Sequence, residues 1–195
     1  MNRNKFIASG ITIILVFGFM LTTAPLCAAS DEKVQQQRED IRKMANDTLA
    51  RLYKTQPSAQ KAVETAAGYA VFSNFGMKIF LAGGGSGSGI AVNNKTKQES
   101  FMKMVEIQAG LGFGIKKFRL VWVFESQKNL DTFINSGWEL GGQTTAAAQL
   151  SGQGGALAGA MSISPGVWLY QLTDDGLAIE LTAKGTKYYK DSNLN

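Results

Sequence analysis

The sequence predicts an α+β fold, with N-terminal helices followed by a mainly antiparallel, curled sheet or partial barrel and one further short helix. Three observations carry that expectation. Helical periodicity is confined to residues 31–66, and from Gly68 onward short apolar runs alternate with glycine. The 22 glycines stand against only 3 prolines, the ratio of a chain with many tight turns, bulges and close backbone approaches. With 45% hydrophobic and 18% charged residues in 195, the chain is about one domain long and can bury a real core.

Residues 1–29 read as a signal peptide. Arg3 and Lys5 form a positive start, Phe6–Leu21 is an apolar stretch of 16 residues, and Cys27-Ala28-Ala29 supplies a small-residue cleavage site between Ala29 and Ser30. The stretch falls short of the roughly 20 residues that span a bilayer. No charge occurs from Phe6 through Ala29, so an uncleaved anchor stays open as an alternative. A lipidated cysteine wants a small residue before it, and Leu26 stands there, which makes anchoring at Cys27 the weaker alternative. The expected location is therefore periplasmic or secreted. Loss of Cys27 with the leader leaves no thiol, a safe composition in an oxidising compartment.

Residues 30–57 form the N-terminal helical segment and 58–195 the α+β domain. From Asp31 to about Tyr53, Val34, Ile41, Ala45, Leu49 and Leu52 recur at threes and fours, with Ser30 or Asp31 placed to cap the start. Pro57-Ser58 begins a second helix to Ala66, with Ala59, Ala62 and Val63 on its narrow apolar side and Gly68 as its stop. Strands are expected at Tyr69–Phe72, Lys78–Ala82 and Gly89–Val92, the last closed by Asn93-Asn94. Phe101–Ile107 alternates, with Met102, Met104 and Glu106 on one face and Phe101, Lys103 and Val105 on the other. Leu111–Ile115 and Phe118–Phe124 read as hairpin partners across Lys116-Lys117. A short helix at Asn129–Ser136 turns Leu130, Phe133 and Ile134 inward. Gly152–Gly159 reads as loop, and Val167–Leu172 and Leu177–Leu181 as strands joined at Asp174-Asp175-Gly176.

The run Gly83–Gly89 invites comparison with a phosphate cradle, but Ile90-Ala91-Val92 follows it where a Lys-Ser/Thr pair and a helix are needed. It is read as a tight turn or bulge. Gly110, Gly112 and Gly114 recur at period two, so one strand face is bare enough for a backbone or a large side chain to lie against it. The chain has no histidine, and its one cysteine is Cys27. Ser-His-Asp and Cys-His systems and the common zinc sites are thereby excluded from the trimmed chain. Glu99, Glu106, Glu125, Glu139 and Glu180 are scattered as on solvated sheet faces, so no catalytic residue, metal site or cofactor is assigned.

Removing Arg3 and Lys5 with the leader lowers the formal charge from +5 to +3, with signs mixed and no basic block, which speaks against nucleic acid. Two basic sets remain. Lys116, Lys117 and Arg119 read as a hairpin tip, and Lys184, Lys187 and Lys190 flank Tyr188 and Tyr189. Such tips can sit on anionic lipid head groups, against the plainer reading of solubilising charge. The first helix mixes both signs on its polar face, which favours packing on its own sheet over lying on a membrane.

Ala67-Gly68-Tyr69-Ala70-Val71-Phe72 followed by Gly83–Val92 resembles the opening of the SYLF lipid-binding domain. The order continues through Gly110–Gly114, Leu120–Phe124, Gly137-Trp138-Glu139-Leu140-Gly141, Gly176–Leu181 and Gly185-Thr186-Lys187, so that it covers roughly Ala50 to Tyr189. Most members carry a Trp-Ser-x-Pro-like motif after the first glycine hairpin, where this chain has Glu99-Ser100-Phe101-Met102, as in an exported bacterial branch. The resemblance implies the fold and an affinity for lipid or membrane surfaces. Eukaryotic relatives bind phosphoinositides and in some cases actin, and the departure at 99–102 counts against both ligands here. The expectation is a non-enzymatic domain that binds an anionic lipid or membrane surface, with an envelope protein partner as the alternative.

Overall fold

The computed structural model of the chain describes residues 26–79, 82–109, 114–140, 155–174, 176–177 and 185–195. The expected leader falls almost wholly outside them. Among the described residues, no helix is long and apolar enough to cross a membrane.

Helix α1 spans Leu26–Thr55, so it starts before the expected Asp31 and carries Ser30 and Asp31 inside it, not at its cap. Ala28 and Ala29 are strong helix formers and extend the helix upstream. Its inward stripe is the expected one: Ile41, Ala45, Leu49 and Leu52 are buried. Helix α2 (Ser58–Thr65) starts from Pro57, whose φ of −57° already suits a helix, and buries Ala59, Ala62 and Val63. The chain turns extended at Ala66, and Gly68 opens the first strand where a helix stop was expected.

Among the described residues nine strands follow: β1 (Gly68–Ile79), β2 (Ala82–Asn93), β3 (Glu99–Ala109), β4 (Gly114–Phe124), β5 (Trp138–Leu140), β6 (Met161–Ser164), β7 (Val167–Thr173), β8 (Gly176–Leu177) and β9 (Thr186–Lys190). Helix α3 (Gln127–Ser136) lies between β4 and β5 and is capped by Ser126, whose hydroxyl accepts from the Asn129 N–H. The strand order is β5-β9-β3-β2-β1-β4-β7-β6, with β8 on β7, and each pairing is antiparallel. The sheet curls into a half-barrel. The fold class is therefore the expected one.

Strand lengths are not. The runs Tyr69–Phe72 and Lys78-Ile79 belong to one unbroken β1, and Gly83–Gly89 is strand in β2, paired from Ile79↔Ala82 to Gly68↔Asn93. The glycines serve packing, not turning. A Cβ at Gly89 would collide with the Phe72 ring, and one at Gly87 would meet Met104 Cγ at 2.8 Å. Bare positions let large side chains of β1 and β3 lie across β2. Lys116-Lys117 is likewise mid-strand in β4, opposite Gly76 and Phe75 of β1, and not a hairpin tip. The period-two run 110–114 lies outside the described residues except for Gly114, as do Ala178–Leu181 and residues 141–154. Strands β5, β6 and β9 were not expected.

Each sheet face carries a core. On the inner face Phe72, Met102, Met104, Trp122, Phe124 and Tyr188 pack with Leu130 and Phe133 of α3. The Trp122 and Tyr188 rings meet edge-on at 5.2 Å. On the outer face Val71, Ile90, Phe101, Val121 and Tyr170 pack under α1 and α2. The alternation of β3 is as expected, although Glu106 is buried on the inner face and not solvated.

Candidate functional site

Successive strands place a polar row across the outer face, beside the apolar rows that α1 covers. The register runs Tyr189 (β9), Lys103 (β3), Ser88 (β2), Ser73 (β1), Arg119 (β4) and Leu172 (β7). Two residues further along the strands, Val105, Ser86 and Lys117 continue the same face. Serines replace the valine and isoleucine of the covered rows, so this part of the sheet is a shelf and not a core.

The flank of α1 forms the wall above it. Met44, Thr48 and Arg51, spaced at four and three, fall on one helical stripe. Thr48 is buried and donates to the Met44 carbonyl at 2.7 Å, and Arg119 Nη1 donates to the Thr48 hydroxyl at 3.1 Å. Arg51 Nη2 donates to the Thr173 carbonyl and, at 2.8 Å, to the Asp174 carbonyl, tying the helix to the β7–β8 hairpin. A guanidinium has five donors, more than those two bonds use.

A recess of about 290 Å³ opens between Arg51 on the wall and Lys117 and Arg119 on the shelf, bordered by Ser73, Thr173 and Asp174. Three cations thus meet there with one acid at the rim. A second cavity of about 510 Å³ begins at Ser73 and continues past Ser86 and Ser88 to Met44, Val105 and Tyr189. Lys103 reaches into it but is paired with the buried Asp191 at 3.0 Å.

The structure brings Lys117 and Arg119 together, as expected, and adds Arg51, which the sequence showed only as one charge on a mixed helix face. The Lys116 side chain and all of Lys184 lie outside what is described. Lys187 pairs with Glu139 at 3.1 Å, and Lys190 donates to Asn135 Oδ1 at 3.2 Å beside α3, so these two lysines engage different partners. Tyr188 is buried in the inner core, and only Tyr189 is exposed. Ala29 and Ser30 lie on the first turns of α1.

At residues 99–102, Glu99 pairs with Arg42 at 2.8 Å, and Arg38 and Arg42 lie over the Phe101 ring at 5.7 and 5.2 Å. Among the described residues, no group of three or more Cys, Asp or Glu could hold a metal ion.

A helix-walled antiparallel half-barrel with a glycine-rich central strand and a basic shelf defines the class of this small α+β domain. A family model described as "Las17-binding protein actin regulator" (Ysc84) matches residues 105–195. Beta cell expansion factor A of Aeromonas veronii is 33% identical over 160 residues, 82% of this chain and 59% of that protein. Residues 105–195 thus carry a match to the SYLF (Ysc84) family, the one that the sequence resembles. It spans 59% of the length of that curated relative.

Proposed function

We propose that this chain is an exported, non-enzymatic domain that binds anionic lipid head groups at membrane surfaces through Arg51, Lys117 and Arg119. The observation that carries the reading is the convergence of those three cations on one recess of about 290 Å³. A phosphate in that recess would meet two guanidinium groups, which keep donors beyond those bonded to Thr173, Asp174 and Thr48, and a lysine. Each cation held near an anionic surface contributes on the order of 1 kcal/mol. The family match supports a lipid or protein partner in general, and the recess favours the lipid.

Co-sedimentation with phosphatidylglycerol vesicles tests it. Binding is expected at low ionic strength, weaker at about 1 M salt, where the screening length falls to about 3 Å from about 10 Å at 0.1 M, and absent with phosphatidylcholine. Lys117→Glu should remove most of it. Binding that ignores both lipid charge and this reversal would refute the reading.

The alternative partner is a protein. The description of the matched family as Las17-binding favours it, and the edge strands β5 and β6 offer unpaired backbone for strand addition. Recovery of one stoichiometric protein, with vesicles ignored, is the outcome it requires.

A further inference from the structure

We infer that the recess and the adjoining cavity together seat one anionic amphiphile lengthwise, its head group at the cations and a single acyl chain along the shelf. This inference rests on the head-group reading above.

The two spaces share Ser73 and lie on one continuous row of the sheet. Four strand-to-strand steps separate Arg119 from Tyr189, roughly 19 Å along the sheet. On the wall above, Met44 and Arg51 are seven residues apart, roughly 10 Å of helix. Wall and floor therefore run in the same direction, from an apolar end to a cationic one.

The two ends differ in chemistry. At one, the lining carries Arg51, Lys117 and Arg119, with Asp174 the one acid on it among the described residues. At the other, Lys103 is the one charged residue on the lining among the described residues, and Asp191 neutralises it at 3.0 Å. Val105 and Tyr189 are the exposed large hydrophobics among the described residues, and both border this cavity. Scattered apolar exposure is ordinary, but both instances gathered on one groove mark an apolar contact. The volume of about 510 Å³ falls within the ~300–1,000 Å³ typical of ligand pockets. Surface docking of a bilayer uses only the cationic end. The apolar extension gains contact only when a chain leaves the bilayer plane and lies along it.

Calorimetric titration of the purified protein with lauroyl lysophosphatidylglycerol, below its micelle concentration, tests the seat. Glycerophosphoglycerol serves as the head group alone. The acylated probe should bind once per chain and at least about tenfold tighter, each tenfold being about 1.4 kcal/mol. Val105→Asp and Tyr189→Asp, both at exposed positions, should abolish that advantage and leave vesicle binding in place. An acyl chain that adds nothing, or adds as much in Val105→Asp as before, overturns the seat while Lys117→Glu still reports on the head-group site. Loss of every effect of Lys117→Glu, on vesicles and on both soluble probes, removes the head-group reading and the seat with it.

Discussion

Arg51 does two things at once: it closes the recess, and it holds the Thr173 and Asp174 carbonyls. Hydrogen bonds from a charged donor contribute about 1.5–3 kcal/mol. Arg51→Ala should therefore lower the urea midpoint by an amount in that range as well as weaken vesicle binding. Arg51→Lys should recover charge but only part of the stability, since an ammonium cannot present two fixed donors to two carbonyls. Lys117→Glu, by contrast, changes an exposed strand position and should cost less stability than Arg51→Ala while removing most of the vesicle binding. That difference separates the anchoring role from the binding one. The sequence singled out Lys117 and Arg119 as a basic cluster at an expected hairpin tip, and the structure places both on one face of β4. Sequence alone could not reveal Arg51, because the partner of a helix residue is set by where the helix lands, and Thr173 lies 122 residues away.

Among the elements, α1 and β3 were legible and β2 was not. The stripe Ile41, Ala45, Leu49, Leu52 and the alternation of Met102 and Met104 are local periodicities that packing preserves. Leu52 is fully buried on the inward face of α1, and Leu52→Ala should cost about 2–5 kcal/mol in chemical denaturation. A strand such as β2, with glycine at alternate positions, carries almost no strand propensity of its own. It is strand because Phe72 and Met104, from neighbours distant in sequence, occupy the space its side chains would take. Gly89→Ala should therefore destabilise by about 1–3 kcal/mol through overpacking, although alanine suits a strand at least as well as glycine. A neutral or stabilising result would return β2 to the turn-like reading. The Lys116-Lys117 pair was misplaced for the same reason: two lysines look like a loop until both neighbours of β4 are known.

At the level of the whole molecule, the cores on the two faces make the fold sensitive to alkali. Burial pushes Tyr170 up from 10.0 to about 12, and burial aided by Tyr69 and Glu64 does the same for Tyr53. Burial, with the nearby Glu106 charge, raises Tyr188 further. The folded state thus holds tyrosine protons that the unfolded chain releases near pH 10. Stability should be flat below that pH and fall as pH rises toward 12. Urea midpoints at pH 8, 10 and 11 check the direction, and Tyr188→Phe should flatten the decline. Strand order has one more consequence. Strand β9, residues 186–190, slots between β3 and β5, pairing with residues 102–106, which stand 80 to 88 positions upstream. A nascent polypeptide that has emerged only to residue 185 leaves the β3 rim open, with Met102 and Met104 uncovered on that side. Assembly must wait for the late segment, so slow, synthesis-coupled maturation and a demand for holding chaperones follow from topology alone.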